Sequence, residues 1–247
     1  MVPILQIDSL FGGYLPGKPV LHNLSFAIRQ GEMLGLIGLN GAGKSTTIKN
    51  ILGLLRPQKG SIQVNGLTLA EEPIPYRAAY AYVPESPELY EELTIKEHLE
   101  LTAMAYGLSK DEYLSRSASL LEEFQMKDKL NSFASQLSKG MKQKVMIMNA
   151  FLIEPALYII DEPFLGLDPL AIRSLLELMV TMKRKGASFL ISSHILSTIE
   201  KYCDNFVVLH KGHMVAQGGL GELRIQTGLQ QASLDDIFYH LVQDAGR

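Results

Sequence analysis

Residues 38–45 read Gly-Leu-Asn-Gly-Ala-Gly-Lys-Ser, and no other feature of the chain restricts its fold as strongly. The octapeptide fits G-x-x-x-x-G-K-[ST]. It follows a short apolar run, Met33–Ile37, and opens a segment whose spacing predicts a helix from Lys44 to Leu55, with Pro57 as its stop. A strand–loop–helix unit of this kind holds phosphate. Glycines permit φ > 0 and close backbone approach. Successive N–H groups then form a concave nest, and the helix N-terminus adds partial positive charge. Gly38, Asn40, Gly41, Ala42, Gly43, Lys44, Ser45 and Thr46 are the expected contacts to a nucleoside triphosphate. Lys44 is placed to reach the terminal phosphates, and the Ser45 hydroxyl to ligate Mg2+.

The rest of the chain is organised around that unit. Ile4–Phe11 and Val20–Ile28 pattern as strands, and Ser61–Val64 as another, ending in an Asn65-Gly66 hairpin signal. The middle third reads as helical. Thr94/Glu97 and Ser109/Glu112 have capping-box spacing and open amphipathic stretches over Ile95–Tyr106 and Lys110–Phe124. A further helix is expected from Lys139 to Ile153, ahead of Pro155. Strand and helix then alternate: Leu157–Ile160, a helix from Asp168-Pro169 to Gly186, Phe189–Ser192, a helix over Ile195–Tyr202, and a hairpin around Lys211-Gly212. Alternation predicts an α/β fold with a mostly parallel sheet. The expected parts are an α/β core with an antiparallel β subdomain (1–86 and 154–219), a helical insertion (87–153) and a helical tail (220–247).

At 47% apolar and 20% charged residues, the chain is expected to bury a packed core. A net charge of −3 argues against a nucleic-acid protein held by phosphate neutralisation. The single cysteine, Cys203, excludes an internal disulfide. The N-terminus lacks a basic region followed by an apolar stretch, and no apolar run approaches membrane-spanning length. These readings predict a soluble, intracellular chain that reaches a membrane through a partner.

The second chemical motif is Leu157-Tyr158-Ile159-Ile160-Asp161-Glu162, an apolar strand ending in two acids. In open α/β sheets ligands sit at the carboxyl ends of strands. Asp161 is therefore expected to hold the metal, through water, and Glu162 to orient or deprotonate an attacking water. Alone, Asp-Glu after a strand is more often a solvated strand end; its weight comes from the phosphate loop.

With these motifs in hand, the chain resembles the ATP-binding cassettes of ABC transporters over nearly its whole length. Leu137-Ser138-Lys139-Gly140-Met141 is similar to the family signature, departing from it at Lys139 and Met141. The resemblance implies ATP as the nucleotide and a γ-phosphate contact from Ser138 and Gly140. It implies a switch role for His194 in Ser192-Ser193-His194, contacting the γ-phosphate and holding Glu162. It implies an interface role for Asp168 in Gly166-Leu167-Asp168, compatible with helix capping. Tyr14 would stack on adenine, with an ordinary buried tyrosine as the competing reading. Glu85, where the family has glutamine, would ligate Mg2+. Glu85, the signature variant and Leu234-Asp235-Asp236-Ile237-Phe238 are similar to ABC-2-type exporters, and the nearest likeness is to the ATP-binding subunit of Ecs-type exporters.

The implied function is an ATPase that dimerises around ATP, as a homodimer, and drives a separate transmembrane permease from the inner face of the membrane. The permease would dock near Pro87–Leu99. Soluble ABC-type ATPases of translation or DNA repair are the alternative. They resemble paired cassettes in one chain or carry long coiled coils, and neither pattern is present.

Overall fold

The computed structural model describes residues 2–244. Position 1 of the expected core and positions 245–247 of the expected tail lie outside the described residues. Two sheets carry the structure. The first is antiparallel, in the order β2 (Leu21–Ile28), β1 (Leu5–Gly12), β4 (Lys59–Val64). The second has six strands in the order β5 (Tyr80–Val83), β6 (Leu157–Asp161), β7 (Ser188–Ser192), β3 (Met33–Gly38), β8 (Asn205–His210), β9 (His213–Gly218). Its first five strands are parallel and β9 closes one edge antiparallel to β8.

Every residue of β6 is buried, which fits a parallel strand covered on both faces. Side chains alternate along it, so each face feeds a different core. Leu157 and Ile159 join α1 (Lys44–Ile51) and the antiparallel sheet in one apolar cluster. Tyr158 and Ile160 join a second cluster with α5 (Lys139–Ile153) and α6 (Pro169–Arg184). There Tyr158 stacks between Phe151 and Phe189, with centroids 4.5 and 4.7 Å away. Each such contact contributes about 0.5–1.5 kcal/mol beyond area burial.

The middle third is helical. α3 (Ile95–Ala105) and α4 (Lys110–Glu123) both begin with complete capping boxes: Glu97 N–H donates to Thr94 Oγ1 at 3.2 Å, and Thr94 N–H donates to Glu97 Oε2 at 2.7 Å. Two turns of 3-10 helix precede α5, whose N-cap is Ser138. No helix among the described residues is long and apolar enough to cross a membrane.

Several expected elements change. α1 stops at Ile51, four residues before the expected end, because Gly53 turns left-handed (φ +74°) and Leu54 and Leu55 both donate to the Lys49 carbonyl. Pro57 merely follows. Asn65 and Gly66 both have positive φ, as a tight hairpin turn needs. However, the returning chain makes only the Val64–Leu67 bridge, and β4 pairs with β1 instead. The chain next forms α2 (Pro73–Ala78) and the edge strand β5, neither of which the sequence pattern indicated. The helix expected over Ile195–Tyr202 contracts to α7 (Leu196–Ile199). The chain ends in α8 (Leu220–Thr227) and α9 (Leu234–Asp244).

Candidate nucleotide site

β3 delivers the chain to Gly38 at the carboxyl edge of the parallel sheet, and α1 begins six residues later at Lys44. The loop between them turns on Gly41 (φ +79°) and Gly43 (φ +114°). Only glycine adopts the second value without strain, and a Cβ there would meet the Leu21 side chain at 2.7 Å. Thr47 closes the loop, donating from both N–H (2.8 Å) and Oγ1 (2.9 Å) to the Gly43 carbonyl. Ala42 lies buried beneath the loop, and its carbonyl accepts from Gly212 N–H at 2.9 Å.

A cleft of about 880 Å3 opens over this loop. Tyr14, Gly38, Asn40, Gly41, Gly43, Lys44, Ser45, Thr46, Glu85, Glu162 and His194 line it. Lys44 is only 7% exposed; its Nζ donates to the Gly38 carbonyl at 2.7 Å and lies 3.7 Å from Glu162 Oε1. Tyr14 is 56% exposed, with Lys49 Nζ 5.2 Å from its ring centroid. The buried-tyrosine reading is therefore corrected: the ring projects from the loop after β1, and Lys49 of α1 lies over it.

The two acids after β6 part company. Asp161 stays in the sheet, paired in register with Ser192 of β7, whose Oγ donates to its carboxylate. Burial pushes the Asp161 carboxyl above the usual carboxylate range. The Ser192 hydrogen bond opposes this, neighbouring Glu162 and Glu85 add to it, and Lys44 opposes it. Glu162 takes left-handed backbone angles (φ +48°), a conformation costing about 1–3 kcal/mol for a non-glycine residue. Its N–H donates to the Ser192 carbonyl at 3.1 Å. The turn aims its carboxylate between Lys44 and His194. His194 N–H donates to Glu162 Oε2 at 3.1 Å, and its Nδ1 lies 2.6 Å from the same oxygen. A carboxylate only accepts, so Nδ1 carries the proton.

Glu85 follows β5 and reaches the cleft margin. The preceding Pro84 carbonyl accepts from Gln143 Nε2 at 3.1 Å, tying this segment to α5. No group of three or more His, Cys, Asp or Glu among the described residues is arranged to hold a metal alone. The oxygen donors of Ser45, Glu85 and Asp161 nevertheless suit Mg2+, which binds through one or two carboxylates with phosphate and water completing the shell. Asp161, a desolvated acid countered mainly by Ser192 and Lys44, fits a neighbouring cation.

Five expected contacts lie outside the cleft lining: Ala42 and Asp161, both buried, and three that belong to other loops. Ser138 caps α5, accepting from Met141 N–H at 3.3 Å. A Cβ on Gly140 would stand 2.5 Å from the Gly166 carbonyl, so the two loops lie against each other. Asp168 caps α6, accepting from Ala171 N–H at 2.9 Å, and pairs with Lys144 at 2.9 Å. The Lys144 hydrogen bond, then that of the Ala171 N–H, holds its carboxyl below the usual range. None of the three lines the cleft. Sequence reasoning did not assign Ser192, Leu165, Leu196 or Phe238 to the site; Ser192 stood inside a motif already noted, whereas Phe238 arrives from α9 with no local signal.

The family profile described as "ABC transporter" matches residues 21–165. The chain is 59% identical to the "ABC-type transporter ATP-binding protein EcsA" of Bacillus subtilis (strain 168), over 98% of each chain. It is 41% identical to the "Uncharacterized ABC transporter ATP-binding protein YthP" of the same organism, again over 98% of each. A solved structure described as the "ATP binding subunit of ABC transporter" superposes with a TM-score of 0.94 at 57% identity, covering 96% of this chain and 99% of that one.

Proposed function

The chain belongs to the ABC transporter family, as an ATP-hydrolysing, ATP-binding subunit that works with a transmembrane permease, and from this premise we propose how its residues divide the work. The supporting observation is the convergence of Lys44, Glu162 and His194 at one end of the cleft, beside the glycine loop.

In this reading Gly38, Asn40, Gly41, Gly43 and Thr46 surround the phosphates with backbone amides, Ala42 supports the loop from beneath with its own N–H donated to the Leu39 carbonyl at 3.0 Å, and Tyr14 stacks on adenine. Lys44 exchanges the Gly38 carbonyl for the terminal phosphates. Ser45, Glu85 and Asp161 would hold Mg2+, Asp161 through water, and the ion would supply positive charge against the phosphate oxygens. Glu162 accepts the proton of the attacking water. His194 donates its Nδ1–H to Glu162 and so fixes the glutamate's direction; with a second proton on Nε2 it donates that one to a γ-phosphate oxygen.

Ser138, Gly140 and Asp168 find their use in a second copy. Each chain carries one phosphate loop and one signature, so a head-to-tail pair related by a two-fold axis completes two sites. We assign the 87–153 block to the permease, with contact near Pro87–Leu99, at the inner face of the membrane and in an exporter. The remaining division follows the same logic: 1–86 and 154–219 form the catalytic core, and 220–247 the tail.

Titration calorimetry of the purified chain with ATP across Mg2+ concentrations tests this reading. Binding that needs Mg2+, with the half-saturating Mg2+ concentration raised in Glu85→Ala, is the expected result. An unchanged Mg2+ requirement removes Glu85 from the metal shell. Absence of Mg-ATP binding, with or without a permease, overturns the whole assignment.

A further inference from the structure

α9 reaches the nucleotide cleft from the far end of the chain. Leu234, Ile237, Phe238 and Leu241 follow the i, i+3, i+4, i+7 spacing of a buried stripe, and Leu234 and Ile237 are fully buried. Phe238 is half-buried and forms part of the cleft wall, which it shares with His194 and Leu196.

The neighbour it packs near, α7, is the shortest α-helix among the described residues. α7 has four residues, too few to hold their own direction, and it starts two positions after His194. Its apolar residues Leu196 and Ile199 belong to the same cluster that Leu234 and Ile237 complete and Phe238 packs against. Glu200, at its C-cap, accepts the N–H of Leu234 at 2.8 Å. α9 is itself anchored. Ser233 and Asp236 cap its start reciprocally, and Arg224 Nε of α8 donates to the Ala232 carbonyl at 2.9 Å.

We propose that α9 braces the switch-histidine segment, with Phe238 as a positioning residue that keeps the His194 ring on Glu162. This rests on the reading that His194 acts at the γ-phosphate end of the cleft. Removing the ring takes apolar support from α7, so His194 Nδ1 spends less time on Glu162 Oε2. The phosphate loop is held by bonds of its own, from Lys44 Nζ to the Gly38 carbonyl and from Thr47 to the Gly43 carbonyl. The loss therefore falls on turnover and spares nucleotide affinity.

The test is a double-mutant cycle in the complex with its permease, using Phe238→Ala, His194→Ala and both together, with exposed Tyr239→Ala as control. Phe238→Ala is expected to lower kcat about tenfold with KM for ATP within about twofold, while adding less than about twofold in the His194→Ala background. Amides of residues 194–199 should exchange faster in Phe238→Ala and those of 44–51 unchanged, and Phe238→Leu should restore most of the rate. Additive losses, or a raised KM at unchanged kcat, would overturn the brace. If Phe238→Ala does not fold, Glu200→Ala removes the other tie and is held to the same criteria. Wild-type turnover in His194→Ala would instead sink the underlying role of the histidine.

Discussion

Lys44 and His194 meet the same carboxylate from two sides, and they are held there by different means. Lys44 is 7% exposed and sits at the first turn of α1, directly after a loop whose path is dictated by Gly41 and Gly43. Its partners are the Gly38 carbonyl, six residues away, and Glu162. The His194 side chain is 51% exposed, and the helix after it has only four residues. What steadies it comes from Glu162 on one side and from α9 on the other. One arm of the site is fixed by local backbone chemistry, and the other depends on contacts between distant parts of the chain. The first is suited to constant grip on phosphate, the second to a group that responds to what is bound.

Glu162→Gln removes the shared partner of both arms. It should retain ATP and lower turnover about 10²–10⁴-fold, measured as phosphate release, because a positioned general base contributes on that scale. Lys44→Ala breaks the local arm. Turnover should fall about 10²–10³-fold, the scale for losing one preorganised donor, and calorimetric ATP affinity should fall with it. That second loss separates it from the α9 variants, whose cost is confined to kcat. If Lys44→Ala kept its affinity, the contrast between gripping and responding arms would break. Gly43→Ala sharpens the same contrast. Forcing a side chain to φ +114° against Leu21 should lower the stability of the nucleotide-free protein by about 1–3 kcal/mol, read by thermal unfolding. Unchanged melting would mean that the loop is not locally determined.

The same division governs what the sequence revealed. The phosphate loop, both capping boxes and α5 were legible because each is written within a few consecutive residues. The Asp161-Glu162 pair was legible as chemistry, but its divergent geometry was not. Glu162, itself buried, turns toward Lys44 and His194 through a left-handed backbone, with its N–H bonded to Ser192. β5 has four residues and no alternating pattern, so only its pairing with β6 identifies it as a strand. The end of α1 was misplaced because Pro57 is a stronger sequence mark than Gly53, although Gly53 makes the turn. Phe238 belongs to a readable amphipathic helix, but its arrival at the cleft is set by how α9 docks on α7, which no local pattern encodes.

The central claim is that each chain carries half of an ATP site, with Glu162 ending its lifetime. Sedimentation velocity on Glu162→Gln with Mg-ATP addresses it directly. The account predicts a dimer that forms with ATP and reverts to monomer when the nucleotide is removed. A Glu162→Gln chain that stays monomeric at saturating Mg-ATP while hydrolysing it at the wild-type rate would contradict it.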